Sequence, residues 1–166
     1  MKKLMLLLVA GTLLTTTACT KKYTTVVQGA QVAGEASFTV NNWTLNNTEN
    51  AYEASFNDTY ITSDVSNGGV VEIFLYYPND GTWKPLPDIY NGTQFYFRYN
   101  TGGFDIYYGN VDGSAPSNPG SWTFRAVVIS PSQKQAHPGT NWKDYNQAIA
   151  VETGTATVAT QTQAAQ

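Results

Sequence analysis

The chain has 166 residues, of which 42% are hydrophobic and 13% are charged, and its formal net charge is −3. This length fits one domain, and the apolar content is enough for a packed core, so a globally disordered chain is excluded. One Cys and one His exclude a disulfide framework and a zinc site built from Cys and His. The negative charge argues against nucleic acid as a partner.

The N-terminal residues have the features of a secretion signal. Lys2 and Lys3 form a basic start, and residues 4–14 are apolar apart from one Gly and one Thr. This stretch is shorter than the roughly 18–20 apolar residues that a membrane-spanning helix needs, and it fits the apolar region of a secretory signal. The segment ends in Ala18-Cys19, which places a small residue directly before the only cysteine of the chain.

This arrangement resembles a bacterial lipoprotein signal, in which lipid is attached to the cysteine thiol and the chain is cut before it. The resemblance implies a signal peptide over residues 1–18 and a lipid on Cys19. Ordinary secretion is the alternative, because Thr16 and Ala18 also fit a small-x-small cleavage site. Processing would leave 7 of 9 basic and all 12 acidic side chains, a net charge of −5, so attachment to a membrane would depend on the acyl chains.

The processed chain is predicted to fold as an all-β domain behind a flexible tether. Residues 19–35 are small and polar, as a tether should be, and from residue 36 apolar and polar side chains alternate with a period of two. Clusters of Asn, Gly, Asp and Pro separate the alternating segments. The pattern favours a single antiparallel β-sandwich of about seven to eight strands over residues 36–152. The candidate strands are residues 37–45, 51–57, 59–63, 69–77, 93–99, 104–109 and 121–130.

A hairpin around the turn at residues 100–103 is the clearest local prediction. Its register pairs Tyr99 with Phe104, Arg98 with Asp105, Phe97 with Ile106 and Tyr96 with Tyr107. One face of the hairpin is predicted to be core, namely Phe95, Phe97, Tyr99, Phe104, Ile106 and Tyr108. The other face is predicted to carry an ion pair between Arg98 and Asp105 and a stack of Tyr96 on Tyr107.

The C-terminal part of the domain ends in a short predicted helix and a tail. Asn141 is predicted to cap a helix that runs through Trp142, Tyr145 and Ile149. Residues 153–166 form a low-complexity tail of mainly Thr, Ala and Gln, and either a last strand around residues 155–159 or disorder is compatible with it.

Several segments in this order are similar to small uncharacterised outer-membrane lipoproteins of Bacteroidota. The segments are Ile61-Thr62-Ser63-Asp64-Val65, Gly69-Val70-Val71, Trp83-Lys84-Pro85-Leu86-Pro87, Phe124-Arg125-Ala126-Val127-Val128-Ile129 and Trp142-Lys143-Asp144-Tyr145. The resemblance spans roughly residues 60–145 and implies a β-sandwich domain tethered near the outer membrane. It implies no activity and no catalytic residue.

Residues able to support catalysis or metal binding are few. His137 lies in a His-Pro-Gly turn, and no Gly-x-Ser-x-Gly motif is present. Glu72 has apolar neighbours on its strand, which favours an ion pair with Arg98 or Arg125 over the role of an acid in a carboxylate-dependent hydrolase. Residues 110–114 resemble the start of a calcium loop, but a turn explains them as well. The sequence therefore predicts no catalytic residue, no metal ligand and no cofactor.

An excess of aromatic residues is the main functional signal. Tyr76, Trp83, Tyr96 and Tyr107 are predicted outside the core, where exposed rings can stack on sugars or anchor a protein partner. Core packing and cross-strand pairing are the alternative interpretation. The sequence favours a membrane-anchored, non-catalytic binding or assembly module for a cell-envelope protein or glycan. A structural envelope lipoprotein without a specific ligand is the second hypothesis, and a hydrolase is the third.

The predicted location is the outer membrane, with the lipid as the contact to the membrane. The residues directly after Cys19 read Thr-Lys-Lys and lack the acidic residues often found in surface-exported lipoproteins of Bacteroidota. This difference favours the periplasmic face over the cell surface.

Overall fold

The computed structural model of the protein describes residues 24–25 and 37–154. The predicted signal peptide, Cys19, most of the predicted tether and the tail beyond residue 154 lie outside the described residues. The predictions made for those segments, including a last strand around residues 155–159, are therefore not addressed by the fold. In the described part of the chain, no helix is long and apolar enough to cross a membrane.

The described chain contains ten strands and three short helices. The strands are β1 (Thr24–Thr25), β2 (Phe38–Val40), β3 (Thr44–Asn46), β4 (Ala51–Asn57), β5 (Val70–Tyr77), β6 (Thr82–Pro85), β7 (Asp88–Tyr90), β8 (Thr93–Asn100), β9 (Gly103–Asn110) and β10 (Trp122–Ile129). The helices are α1 (Ser63–Gly68), α2 (Pro131–Ala136) and α3 (Tyr145–Glu152).

The strands form two five-stranded sheets that face each other. Sheet A has the order β1-β2-β10-β5-β6, and sheet B has the order β3-β4-β9-β8-β7. All pairs are antiparallel except β1 with β2, which run parallel. The predicted all-β sandwich with a short C-terminal helix is confirmed.

The main core lies between the inner faces of the two sheets. Its fully buried large side chains include Phe38, Ile73, Leu75, Ile106 and Phe124. Because successive strand residues point to opposite faces, the apolar period of two in β5, β9 and β10 places one set of side chains in this core.

The hairpin formed by β8 and β9 has the predicted register at every position. On the predicted core face, Phe95, Phe104 and Ile106 are buried, whereas Phe97 and Tyr108 are half-buried. Tyr99 is 43% exposed, so its assignment to the core was wrong. Tyr99 lies beside the turn, and residues 98–102 around it are all exposed.

Helix α3 covers the outer face of sheet A and creates a second apolar cluster. Val70, Phe74 and Val127 are buried there against Ala148 and Val151 of the helix. The outer face of β5 is therefore core as well, which explains why β5 carries apolar side chains on both faces.

Three local predictions were wrong. Residues 59–63 form no strand; they pass through a turn into α1, whose N-cap is Thr62. The predicted strand over residues 37–45 is divided into β2 and β3. The last helix is capped by Asp144, whose side chain accepts a hydrogen bond from the Gln147 N–H, and not by Asn141.

Candidate ligand-binding cleft

An aromatic cleft opens at one end of the sandwich, where three strands from both sheets meet. Its aromatic wall consists of Tyr77 at the end of β5, Tyr90 at the end of β7 and Trp122 at the start of β10. Because β5 and β10 are antiparallel neighbours, the end of one lies beside the start of the other. We use the name aromatic cleft for the space lined by these three residues.

The three rings are arranged edge to face. The centroid of Tyr77 lies 6.1 Å from that of Tyr90 at 67° and 6.2 Å from that of Trp122 at 68°. Behind them, Phe95 contacts Trp122 at 5.1 Å and Tyr108 at 4.8 Å, which connects the cleft wall to the core. Rings in such geometry hold one another in place, so the wall is formed before any ligand arrives.

Hydrogen bonds and a cation fix the position of Tyr77 and Trp122. The Tyr77 hydroxyl donates to the Asp88 carboxylate and thereby joins sheet A to sheet B. Burial, followed by the hydrogen bond to Asp88, raises the pKa of Tyr77, so the hydroxyl keeps its proton. Lys84 Nζ lies 4.4 Å from the Tyr77 ring centroid, and Trp122 Nε1 donates to the Pro119 carbonyl at 3.0 Å.

The cleft is large enough for a small ligand and has a polar rim. Its main space is about 680 Å³, and an adjoining hollow of about 250 Å³ shares the three aromatic residues. The main space is also lined by Tyr76, Pro78, Asn79, Asp80, Lys84, Ser121 and Thr123. Aromatic walls combined with a few hydroxyl, amide and carboxylate groups are typical of small-molecule sites.

Asp80 is a charged residue of the rim, and its ionised form is stabilised by Thr82. Its Oδ1 accepts hydrogen bonds from the Thr82 hydroxyl at 2.6 Å and from the Thr82 N–H at 3.0 Å. These hydrogen bonds hold the pKa of the Asp80 carboxyl below its usual range. The lining of the cleft therefore includes an anionic acceptor held in place by Thr82.

The four aromatic residues singled out in the sequence do not form one surface. Tyr76 and Trp83 pair across β5 and β6 on the outer face of sheet A, with centroids 5.0 Å apart. Trp83 also stacks on Tyr145 of α3 at 4.9 Å and 8°, so the helix partly covers it. Of the four, only Tyr76 lines the aromatic cleft.

Tyr96 and Tyr107 lie on the outer face of sheet B and form the predicted stack, at 4.9 Å and 12°. Arg98 lies over both rings, 5.9 Å and 5.2 Å from their centroids, and Glu49 binds Arg98 through two hydrogen bonds of 2.7 Å and 2.9 Å. Tyr107 is consequently only 6% exposed, and burial raises its pKa to about 12. The ring pair is covered by its own neighbours.

Two predicted ion pairs were wrong, because in each case the charged side chain pairs with a residue from another part of the fold. Arg98 is opposite Asp105 in the ladder, but its ion pair is with Glu49 at 2.7 Å. Glu72 pairs neither with Arg98 nor with Arg125, but with Lys143 at 2.6 Å.

The burial of Glu72 dominates its ionisation. Desolvation raises the pKa of the carboxyl, and the hydrogen bond from Lys143 opposes that rise. Lys143 Nζ also donates to the Leu86 carbonyl at 3.1 Å. These contacts place Glu72 beneath the segment that leads into α3, and it does not line the aromatic cleft.

The remaining polar motifs have structural partners. His137 is the C-cap of α2, and its N–H donates to the Lys134 carbonyl. Asp112 Oδ1 accepts from the Ser114 N–H and hydroxyl at 2.9 Å and 2.7 Å, which are the contacts of a turn. Among residues 37–154, no group of three His, Cys, Asp or Glu side chains could hold a metal ion.

Sequence reasoning missed the aromatic wall because its three residues carry different local signals. Tyr77 follows the core-facing residues Ile73 and Leu75 on the same face of its strand. Tyr90 lies outside every predicted strand, and Trp122 begins a strand. The available signal was their position at strand ends, since a core-facing aromatic residue there lies at the rim of a sandwich.

Comparison with models of known protein families, with curated proteins and with solved structures gives no match.

Proposed function

We propose that this protein is a membrane-anchored, non-catalytic binding module that takes a glycan of the cell envelope in its aromatic cleft. The observation that carries the proposal is the wall formed by Tyr77, Tyr90 and Trp122 around a space of about 680 Å³. Aromatic faces bind the apolar face of a sugar ring, and rim groups such as Asp80 and Ser121 can accept or donate hydrogen bonds to its hydroxyls.

Tyr90 is the residue best placed to contact a ligand. It is 57% exposed and lies at the open side of the wall, whereas Tyr77 and Trp122 are half-buried. An exposed ring held by an edge-to-face contact loses little conformational freedom when a ligand stacks on it. Tyr90 therefore supplies a contact face that the fold already orients.

Binding to a panel of envelope polysaccharides tests the glycan proposal. We expect Tyr90→Ala to weaken binding about tenfold, a loss of about 1.4 kcal/mol, and Ile89→Ala to leave the affinity unchanged. Ile89 is a matched control because it is 62% exposed on the same strand and does not line the cleft. An unchanged affinity for Tyr90→Ala, or no binding to any polysaccharide of the panel, would contradict the proposal.

The anchoring half of the proposal rests on Cys19 and the signal before it. We expect the intact protein to sediment with outer membranes and Cys19→Ser to be recovered in the soluble periplasmic fraction, because the acyl chains supply the attachment. Fractionation followed by immunoblotting measures the distribution. Membrane recovery of Cys19→Ser equal to that of the intact protein would show that another contact holds the chain there.

Co-purification from detergent-solubilised membranes separates the glycan proposal from the second candidate, a protein partner. A protein that is recovered in equal, stoichiometric amounts with the Tyr90→Ala variant and with the intact protein would show that the partner binds a surface other than the aromatic cleft. Such a partner, if lost in Cys19→Ser, would identify a membrane assembly.

A further inference from the structure

The hollow that adjoins the main space of the aromatic cleft is lined by aromatic rings from both sheets. On sheet B, Asp88 is opposite Phe95 in the ladder and Phe95 is opposite Tyr108, so the three side chains form a row on one face of the sheet. On sheet A, Tyr77 and Trp122 line the hollow from β5 and β10. The aromatic residues of its lining are Tyr77, Tyr90, Phe95, Tyr108 and Trp122.

The rings around the hollow are inclined to one another. The Phe95 ring makes an angle of 46° with Tyr108 and of 64° with Trp122. The Tyr77 ring makes angles of 67° and 68° with Tyr90 and Trp122. Because none of these pairs is stacked, no ring covers the whole face of its neighbour. Phe95 is 5% exposed and Tyr90 is 57% exposed, so the hollow has a buried floor and an open side.

The charge that the described chain places in the wall of the hollow is negative. Asp88 is the acidic residue of the lining, to which no Lys, Arg or His of the described residues belongs. Its carboxylate accepts a hydrogen bond from the Tyr77 hydroxyl, which holds it beside the rings. The face of an aromatic ring is also negative and attracts cations. The hollow therefore favours a positively charged group.

Lys84 shows that a ring of this wall can hold a cation. Its Nζ lies 4.4 Å from the centroid of the Tyr77 ring, within the roughly 6 Å over which a ring face attracts a cation. Lys84 lines the main space of the cleft and not the hollow. The described chain thus places an ammonium group on one ring of the wall but none in the hollow itself.

The size and the lining of the hollow favour a quaternary ammonium group. Its volume of about 250 Å³ is below the roughly 300–1,000 Å³ of sites for drug-sized ligands, so it suits one substituent group. A primary ammonium has three N–H donors that each need an acceptor, whereas the polar residues of the lining are only Asp88, Asn91 and Thr93. A quaternary ammonium group has no N–H donor, and aromatic rings bind its methyl groups directly.

We propose that the hollow is a subsite for a quaternary ammonium group carried by the ligand of the aromatic cleft. The inference rests on the proposed function, because it takes a glycan as the carrier of that group. The rings contact the methyl groups, Asp88 supplies the counter-charge, and the rest of the ligand lies in the main space. The cleft therefore selects for a positive charge as well as for a sugar ring.

Titration of the intact protein with tetramethylammonium chloride, followed by NMR of the Trp122 indole N–H, tests the subsite without any glycan. tert-Butanol is the matched probe, because it has nearly the same shape and no charge, and sodium chloride is the control for ionic strength. We expect a saturable shift with tetramethylammonium and an affinity about tenfold lower for tert-butanol. Equal affinities for the two probes, or no saturable shift, would overturn the inference.

Substitutions in the wall separate a cation–π contact from a merely apolar one. Tyr90 is exposed, so Tyr90→Phe and Tyr90→Leu are both expected to fold, and only the first keeps a ring. Tetramethylammonium should bind Tyr90→Phe about fivefold more tightly than Tyr90→Leu. Asp88→Asn keeps an acceptor for the Tyr77 hydroxyl but removes the charge, so it should weaken binding about fivefold, whereas Ile89→Ala leaves it unchanged. Equal affinities of the two Tyr90 variants, with unaltered binding to Asp88→Asn, would contradict the subsite.

Displacement of bound tetramethylammonium separates a failure of this inference from a failure of the glycan proposal. A polysaccharide with quaternary ammonium substituents that displaces the probe supports both. Binding of the probe without binding of any polysaccharide would overturn the glycan proposal, and a polysaccharide that binds the cleft without displacing the probe would overturn the subsite. Displacement by phosphatidylcholine vesicles alone would assign the group to a lipid headgroup and overturn the glycan as its carrier.

Discussion

Asp58 shows how burial can dominate the ionisation of a side chain in this fold. Its Oδ1 accepts a hydrogen bond from the Tyr60 N–H at 2.9 Å, but its Oδ2 is buried without a hydrogen-bond partner among the described residues. Burial raises the pKa of the carboxyl, the Tyr60 N–H partly opposes the rise, and the negative charge of Glu152 adds to it. Ionised Asp58 is therefore a source of instability that protonation relieves.

The stability of the domain should depend on pH through this carboxyl. A pKa raised in the folded state above the unfolded value means that the contribution of Asp58 is present at low pH and is lost as the pH rises through the folded pKa. We therefore expect Asp58→Asn to gain stability relative to the natural chain as the pH rises from about 4 to 7. Urea unfolding at several pH values measures the difference.

Asp112→Asn is the matched control, with the opposite sign. Hydrogen bonds from Ser114 lower the pKa of Asp112, so this carboxylate stabilises the fold at high pH and the contribution is lost as the pH falls. The Asp112→Asn variant should therefore lose stability relative to the natural chain as the pH rises. Identical pH profiles for the natural chain and Asp58→Asn would refute the role assigned to Asp58.

At the level of residue pairs, the sequence predicted neighbours in one hairpin but not partners across the fold. The opposition of Tyr96 and Tyr107 followed from a period of two and a short turn. Arg98 forms its ion pair with Glu49, which is 49 residues away in the sequence, and Lys143 forms its ion pair with Glu72, which is 71 residues away. Such pairs depend on how distant strands and helices pack against each other. A local sequence pattern does not predict that packing.

Helix α3 is joined to sheet A by apolar burial and by one charged contact. Ala148 and Val151 are buried on the outer face of the sheet, and the segment that leads into the helix is held by Lys143 on Glu72. Because Glu72 is only 8% exposed, its carboxylate depends on that ammonium for a partner. Separating Lys143 from Glu72 would leave a buried carboxylate without its counter-charge, which costs free energy. The contact therefore helps to hold the start of the helix on the sheet.

A double-substitution cycle tests this contact. We expect Lys143→Met to lower the free energy of unfolding by about 1–2 kcal/mol, because it leaves a buried carboxylate without its cation. Adding Glu72→Gln should recover at least half of the loss, since the uncompensated charge is then gone. Urea unfolding at pH 7 measures four chains, namely the natural chain, each single variant and the double variant.

Lys134→Met is the control for removal of a lysine charge. Lys134 is exposed and donates to the Gly68 and Gly69 carbonyls at 3.3 Å and 3.2 Å, so its replacement should cost less than about 0.5 kcal/mol. Additive effects of Lys143→Met and Glu72→Gln would mean that the two side chains act independently.

The elements that the sequence predicted best are those with a regular period between strong turns. Strand β4 matches its prediction at both ends, and β5, β8, β9 and β10 match within one residue at each end. The strand predicted over residues 59–63 was wrong. Tyr60 and Ile61 favour a strand, but the Thr62 hydroxyl accepts a hydrogen bond from the Val65 N–H and so caps α1. Local capping chemistry outweighed β-propensity at this position.

At the scale of the whole molecule, the two sheets have different outer faces. Sheet A is covered by α3, whereas the described residues place no helix on sheet B, where Arg98 and Glu49 cover the tyrosine stack instead. The aromatic cleft lies at neither face but at one end, where the sheets meet. The three residues of its aromatic wall lie on strands β5, β7 and β10, so the wall exists only once the sandwich has formed.

This dependence explains why the sequence predicted the fold class but not the site. Alternation along each strand contains the information for two packed layers. The meeting of Tyr77, Tyr90 and Trp122 depends on the order β10-β5-β6 in one sheet and on the edge position of β7 in the other. The composition shows an excess of aromatic residues, but it does not show which of them share a surface.

NMR of the four tryptophan indole N–H groups during addition of an envelope polysaccharide tests the central claim most directly. Trp122 lines the aromatic cleft, whereas Trp83 and Trp142 contact the cluster beneath α3 and serve as internal references. The cleft proposal predicts a shift of the Trp122 signal that saturates with polysaccharide concentration, with Trp83 and Trp142 unchanged. A polysaccharide that binds while the Trp122 signal stays in place and the Trp83 signal moves would contradict it.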